Sequence, residues 1–236
     1  MKWEVQISGD LLDLKELSKS LVDDDLRVCE KNGQYFLESD RFENLNNPEE
    51  VASLASDILK VLTGAVRLSL GGRTPLHVAN TAMVRPDGGR DVFVTVSDTI
   101  HVRATIGVEI TRSDGTKEVI HPAHSVPGWI KLGLTDQNVA KALRLLGTDE
   151  HNWVSLYRLY EVIEEDVGGL DNIVHSGWAT KASIKRFKHT ANSPGAVGDD
   201  SRHGKESTTP PSDPMDIGEG RALVEVLLHN WLRSKI

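Results

Sequence analysis

The chain has 236 residues, of which 39% are hydrophobic and 26% charged, a globular composition that excludes wholesale disorder. Its single cysteine, Cys29, excludes an intramolecular disulfide, and its net charge of -8 argues against a protein that coats nucleic acid with its whole surface. No apolar run approaches the ~20 residues that span a bilayer, and the N-terminus lacks the apolar stretch of a signal peptide. We therefore expect a cytoplasmic protein without membrane contact.

Residues 1–130 are predicted to form an α+β domain. Lys2–Ser8 alternates apolar and polar side chains, as a half-buried strand does. Asn32-Gly33, the preferred pair of a tight hairpin turn, separates two further alternating segments. Asp10 and Asn47-Pro48 are typical of helix N-termini, where a side chain caps the backbone and proline fits the first turn. We expect a mostly antiparallel sheet with two helices on one face, in a domain that acts as a sensor or binds a partner.

The β-rich sequence continues after Gly71-Gly72. Alternating segments predict further strands at Val78–Val84, Asp91–Val96, Ile100–Ile110 and Thr116–Ile120. Gly71-Gly72 lacks the lysine and the spacing of a phosphate-binding loop, and His121 and His124 have no third ligand nearby. We therefore expect neither a metal nor a cofactor.

Residues 135–236 are predicted to form a four-helix bundle. The starts of the four helices are marked by side chains that can cap a helix, namely Thr135, Asp149, Asp171 and Asp216. The last three helices each carry one tryptophan, and an aromatic core explains these three best: Trp153, Trp178 and Trp231. Val226 is expected in the buried stripe of the last helix.

A local excess of positive charge lies inside this acidic chain. Residues 175–205 carry two acidic and six basic side chains, the basic ones being Lys181, Lys185, Arg186, Lys188, Arg202 and Lys205. Three of the lysines follow i, i+4, i+7 spacing, which places them on one side of the predicted third helix. Charge alone favours a solvated helix face that is balanced by the acidic run at residues 161–166, since structural ion pairs are common. The alternative is a local nucleic-acid site.

The connection between the third and fourth helices is long, and long loops are commonly either functional or disordered. After Lys205 it is rich in Ser, Thr and Pro, as disordered linkers are. Before that point it brings Asn192, Arg202 and His203 close in sequence to His189. An amide, a guanidinium and imidazoles are the groups that hold and cleave a phosphodiester. These four residues are therefore the candidate catalytic residues.

The helical part of the chain resembles the HEPN superfamily. Ser201-Arg202-His203-Gly204 after Asn192 is similar to the C-terminal helical domain of bacterial abortive-infection proteins, over roughly residues 137–236. The resemblance implies a helical bundle that dimerises and brings Arg and His side chains of both copies to a shared cleft. It also implies metal-independent ribonuclease activity in toxin–antitoxin and phage-defence systems, or a binding role in members that lack activity.

Two hypotheses for the function follow. In the first, the chain is a metal-independent endoribonuclease in which His203 or His189 is the general base and Arg202 stabilises the phosphorane. The RNA backbone is then bound by the surrounding cations, Lys181, Lys185, Arg186, Lys188 and Lys205. Arg202 and His203 are adjacent, however, whereas the HEPN signature separates its arginine and histidine by several residues.

In the second hypothesis, the chain is a non-catalytic sensor, antitoxin-like partner or assembly subunit of a multi-protein bacterial defence system. Arg202 and His203 then cap helices or pair with Asp199 and Asp200. Under either hypothesis we expect a homodimer or a protein partner, and under the first we also expect RNA as a ligand.

Overall fold

A computed structural model of the chain shows two compact units, Met1–Lys131 and Leu132–Ile236. It describes residues 2–23, 25–72, 74–84, 89–94, 108–111, 117–120, 125–148, 152–202 and 209–236. No helix in these ranges combines the length and the hydrophobicity needed to cross a membrane.

The first unit contains a five-stranded antiparallel sheet. Its strands lie in the order β2-β3-β1-β4-β5, and their bounds are Lys2–Ser8 for β1, Leu26–Lys31 for β2, Gln34–Ser39 for β3, His77–Val84 for β4 and Arg90–Val94 for β5. A separate hairpin is formed by β6 (Val108–Thr111) and β7 (Lys117–Ile120). The predicted α+β class is thereby confirmed. Most of the predicted strand Ile100–Ile110 lies outside the described residues.

The alternation predicted for β1 positions the core of this unit. Trp3, Val5 and Ile7 are all buried. Two helices complete the unit: α1 (Leu11–Ser20) lies against β2, and α2 (Pro48–Leu70) lies against β4. Their predicted starts are confirmed, because the Asp10 and Asn47 side chains accept hydrogen bonds from backbone N–H groups of the first turns.

The second unit is helical. Its helices are the end of α3 (Val126–Thr135), α4 (Gln137–Gly147), α5 (Trp153–Asp166), α6 (Leu170–His175), α7 (Lys181–Ala191), α8 (Pro194–Val197) and α9 (Ile217–Arg233). The predicted third helix is in fact two helices, because the backbone turns at Gly177, whose φ of 72° is left-handed. The predicted starts at Asp149 and Asp171 were also wrong, because Asn152 caps α5 and α6 begins after Gly169 without a side-chain cap. The predicted cap at Thr135 was wrong as well. Thr135 ends α3, and the neighbouring Asp136 side chain caps α4.

Helix α5 lies at the centre of the aromatic core of this unit. The Phe187 ring of α7 lies 6.0 Å from the ring of Trp153, 5.9 Å from that of Tyr157 and 5.7 Å from that of Tyr160. Trp153 and Trp231 are buried as predicted, whereas Trp178 is only partly buried. Val226 was expected inside but is 48% exposed, because α9 instead turns Val224, Leu227 and Leu228 toward the core.

The approach of α9 to α5 requires a residue without a side chain. A Cβ atom at Gly220 would lie 2.7 and 2.9 Å from the Cζ3 and Cη2 atoms of the Trp153 ring. Real Cβ contacts are not this short, so an alanine at this position forces α9 or the ring to move.

We predict that Gly220→Ala destabilises the protein although alanine favours helix by ~1 kcal/mol. Overpacking of this kind costs about 1–3 kcal/mol. Trp153→Phe removes the two ring atoms that the new Cβ would meet, so Gly220→Ala should cost less in that background. Urea unfolding of the wild type, both single variants and the double variant measures this coupling. Additive effects of the two substitutions would contradict the proposed contact.

Candidate functional site

The structure gathers most of the predicted site residues around α7. This helix carries Lys181, Lys185, Arg186, Lys188 and His189, and Asn192 follows its last residue. Arg202 returns to the same end of the helix, because its backbone N–H donates to the carbonyl oxygen of Ala191 at 2.9 Å. His203 and Lys205 lie outside the described residues, as do His121 and His124.

Two of the predicted cations are paired with carboxylates of α5. The Arg202 guanidinium lies 2.7 Å from Glu161, and the Lys188 ammonium lies 3.2 Å from Glu164. Arg202 does not form the expected pair with Asp199 or Asp200; its partner comes from the acidic run at residues 161–166 instead.

The same two cations also lie over tyrosine rings. Arg202 Cζ is 4.4 Å from the ring centre of Tyr157, and Lys188 Nζ is 5.3 Å from that of Tyr160. The Tyr160 hydroxyl donates to Glu164 at 2.6 Å, and burial together with this carboxylate raises the pKa of Tyr160. We call the six residues that share these contacts the paired-cation cluster: Tyr157, Tyr160, Glu161, Glu164, Lys188 and Arg202.

Arg186 has a structural role in the chain that leads into α9. Its Nε donates to the carbonyl oxygen of Asp213 at 2.8 Å, and its Nη2 donates to that of Pro214 at 3.1 Å. Both of its Nη atoms also donate to the Glu219 carboxylate, and this interaction raises the pKa of Arg186. Glu219 in turn forms the predicted capping box with Asp216. The donors of Arg186 are thus used within the protein.

The remaining lysines of α7 differ in their surroundings. Lys181 pairs with Asp171 at 3.0 Å, and both side chains are exposed. Lys185 is exposed and forms no ion pair within the described ranges. The basic patch of the sequence is therefore largely neutralised in space.

The candidate base His189 and the amide of Asn192 are held by backbone groups. His189 Nε2 lies 2.8 Å from the carbonyl oxygen of Thr209, so this nitrogen carries the proton and Nδ1 is the basic atom of a neutral ring. Asn192 Nδ2 donates to the carbonyl oxygen of Lys188 at 2.7 Å. The Asn192 Oδ1 atom is buried and accepts no hydrogen bond from a described residue.

The carboxylates of α5 also line a groove. Its volume is about 520 Å³, and its lining is Lys141, Arg158, Glu161, Val162, Glu164, Glu165, Gly168 and Gly169. Arg158 and Glu165 are exposed, and neither forms an ion pair with a described residue. They are seven positions apart and so lie on one side of the helix. Sequence reasoning missed Arg158 and Lys141 because each is isolated among apolar residues.

The C-terminal end of α5 is fixed by a second polar network. Asp166 accepts hydrogen bonds from Asn138 at 2.8 Å and Trp231 at 2.7 Å, and it pairs with Lys235 at 2.8 Å. Burial by itself raises the pKa of Asp166, but these three donors outweigh burial and lower it. Lys235 also reaches Asp136, the cap of α4. The network therefore ties α4, α5 and α9 together beside the groove.

Comparisons of this chain with known proteins identify no relative. Neither the protein-family models, nor the curated proteins, nor the solved structures give a match to this chain. The HEPN resemblance and the function that it implies therefore stay predictions. Among the described residues, no group of His, Cys, Asp and Glu side chains is arranged to hold a metal ion.

We predict that Arg186→Gln lowers the melting temperature and exposes the chain before α9 to limited proteolysis, because it removes the donors that hold Asp213, Pro214 and Glu219. Lys185→Gln makes the same change of charge on the neighbouring residue and should leave both properties as in the wild type. Thermal unfolding and a protease time course compare the two variants. Equal behaviour would contradict the structural role of Arg186.

Proposed function

We propose that the chain is a non-catalytic assembly subunit whose C-terminal unit pairs with a second copy along α5. The observation that carries the proposal is the self-complementary charge pattern in the groove. Arg158 and Glu165 lie on one side of α5, seven residues apart, with Glu161 and Val162 between them. Both end charges are exposed and form no ion pair with a described residue.

Two such helices complement each other when they pack antiparallel around a twofold axis. With the axis between Glu161 and Val162, Arg158 of each copy faces Glu165 of the other copy, so the same pair forms twice. The two Glu161 side chains then lie near the axis, where Arg202 already neutralises each of them. Exposed ion pairs contribute only about 0–1 kcal/mol each. They therefore fix the register of the two copies more than they supply affinity.

The surroundings of the predicted catalytic cations also favour a non-catalytic role. An arginine that stabilises a phosphorane must present its donors to the substrate. Arg202 instead lies over Tyr157 and pairs with Glu161. Arg186 and Lys188 are likewise engaged with protein carboxylates.

We predict that the wild-type chain has twice the mass of one chain in size-exclusion chromatography with light scattering. Arg158→Glu alone and Glu165→Arg alone should each shift the protein toward the monomer, because each places like charges opposite each other. The exchange variant, Arg158→Glu with Glu165→Arg, restores both pairs and should restore the dimer.

Arg221→Glu provides the matched control, because Arg221 is exposed on α9 and lies outside the groove. It makes the same change of charge and should leave the dimer intact. A wild-type monomer at every accessible concentration would overturn the proposal. An exchange variant that is no more dimeric than the single variants would overturn the register.

The second candidate function is the metal-independent ribonuclease of bacterial defence that the HEPN resemblance implies. One observation favours it. His189, Asn192 and Arg202 lie at the same end of α7, and the buried Oδ1 of Asn192 has no donor among the described residues. The imidazole, the amide and the guanidinium of the sequence hypothesis are thus near each other in the chain's helical unit.

Incubation of the purified protein with RNA in EDTA separates the two functions. The assembly proposal predicts no RNA cleavage by the wild type and no difference between it and His203→Ala, His189→Ala or Arg202→Gln. Cleavage that is lost in one of these variants would establish the ribonuclease and overturn the non-catalytic role. Equal residual cleavage by all four proteins identifies a contaminating nuclease and agrees with the proposal.

A further inference from the structure

The carboxylates of Glu161 and Glu164 hold two cations that lie next to a row of exposed lysines. We propose that these carboxylates mask a phosphodiester-binding face, so that neutralising them releases Arg202 and Lys188 from these two ion pairs to bind the phosphodiester backbone of a nucleic acid. The proposal goes beyond self-association, because it concerns the cations that these carboxylates hold and a different ligand.

First, both ion pairs are accessible to a ligand from solvent. The side chains of Arg202 and Lys188 are 30% and 34% exposed, and those of Glu161 and Glu164 are 40% and 23% exposed. Both ion pairs therefore lie at the surface, where water and salt screen them and a phosphate can reach the cation. A fully buried pair could not exchange partners in this way.

The second support is the arrangement of the neighbouring cations. Lys181, Lys185 and Lys188 follow i, i+4, i+7 spacing on α7 and form one row. Lys185 has no carboxylate partner in the described ranges, and Lys181 has only the exposed Asp171. Release of Lys188 from Glu164 makes the third charge of this row available to a ligand. Release of Arg202 from Glu161 adds a planar guanidinium that suits phosphate. A row of cations with this spacing tracks a charged backbone rather than base edges.

Third, a partner bound in the groove can reach the two masking carboxylates. Glu161 and Glu164 line the groove and hold the two cations at the same time. A partner's lysine or arginine that reaches Glu161 or Glu164, unlike the proposed contact of Arg158 with Glu165, competes with Arg202 and Lys188 for these carboxylates. Binding in the groove is thereby coupled to the charge that α7 and Arg202 present.

The salt dependence of nucleic-acid binding tests the proposal. Glu161→Gln with Glu164→Gln removes both negative charges but keeps an oxygen that can accept from Tyr160. Each added phosphate contact to a single strand steepens the plot of log affinity against log salt by about 0.7. Two freed cations should therefore steepen it by about 1.4, an extra loss of about sevenfold between about 50 and 200 mM salt.

The probes are a short fluorescein-labelled single-stranded RNA and a DNA of the same sequence, measured by fluorescence anisotropy. The charge-matched control is Glu50→Gln with Glu225→Gln, since both glutamates are exposed and neither forms an ion pair with a described residue. Its slope should equal that of the wild type. Adding Lys188→Gln and Arg202→Gln to the test variant should return its slope to the wild-type value.

Three outcomes would overturn the proposal: a test variant no steeper than the charge-matched control, a steeper slope that persists without Lys188 and Arg202, or a gain confined to RNA. Equal gains on RNA and DNA support recognition of the phosphodiester backbone. If the double variant does not fold, Glu161→Gln alone tests the proposal, with an expected steepening of about 0.7 from Arg202.

Discussion

The C-terminal unit depends on the close approach of α9 to the Trp153 ring of α5. This contact is possible only because Gly220 has no side chain, and it lets one ring of α7, Phe187, pack against Trp153, Tyr157 and Tyr160 together. Aromatic rings at these positions commit one side of α5 to the core. Between the aromatic positions, aliphatic residues such as Leu156 and Ile163 are buried as well, and the exposed positions Arg158 and Glu165 are charged. The charged surface of α5 is therefore a consequence of how its core side is packed.

The charged side chains of α5 fall into three groups, two with partners inside the unit and one without an ion pair to a described residue. Glu161 and Glu164 hold Arg202 and Lys188, whereas Asp166 serves Asn138, Trp231 and Lys235. The donors around Asp166 lower its pKa despite burial, so this network stabilises the fold above pH ~4 and is lost as the pH falls through the depressed pKa. Arg158 and Glu165 form no ion pair with a described residue. In the proposed dimer, these two opposite charges pair with those of the second copy.

The features that sequence reasoning predicted correctly are local in the chain. The hairpin at Asn32-Gly33 depends on the left-handed backbone of these two residues. The helix caps at Asn47 and Asp216 depend on hydrogen bonds from backbone N–H groups two or three residues away to their side chains. The pairs of the candidate site do not, because Arg202 and Glu161 are 41 residues apart and Lys188 and Glu164 are 24 apart. Such partners are brought together only by helix packing. That packing requires the left-handed backbone at Gly177 and the absence of a side chain at Gly220. Charge counted along the sequence therefore overstated the charge available in space.

The position of Glu161 limits what the C-terminal unit can bind at one time. Glu161 lines the groove and also holds Arg202, so a partner that takes this carboxylate releases the guanidinium from its ion pair. When Arg202 is paired with Glu161, it neutralises the carboxylate. Two copies of α5 can then meet near Glu161 without like-charge repulsion. Arg202 released from its pair suits a phosphate. The proposed assembly keeps the pair of Arg202 and Glu161 intact, whereas the proposed nucleic-acid binding breaks it. The two proposals therefore oppose each other through Glu161, and the cation that Glu161 holds would set the balance between them.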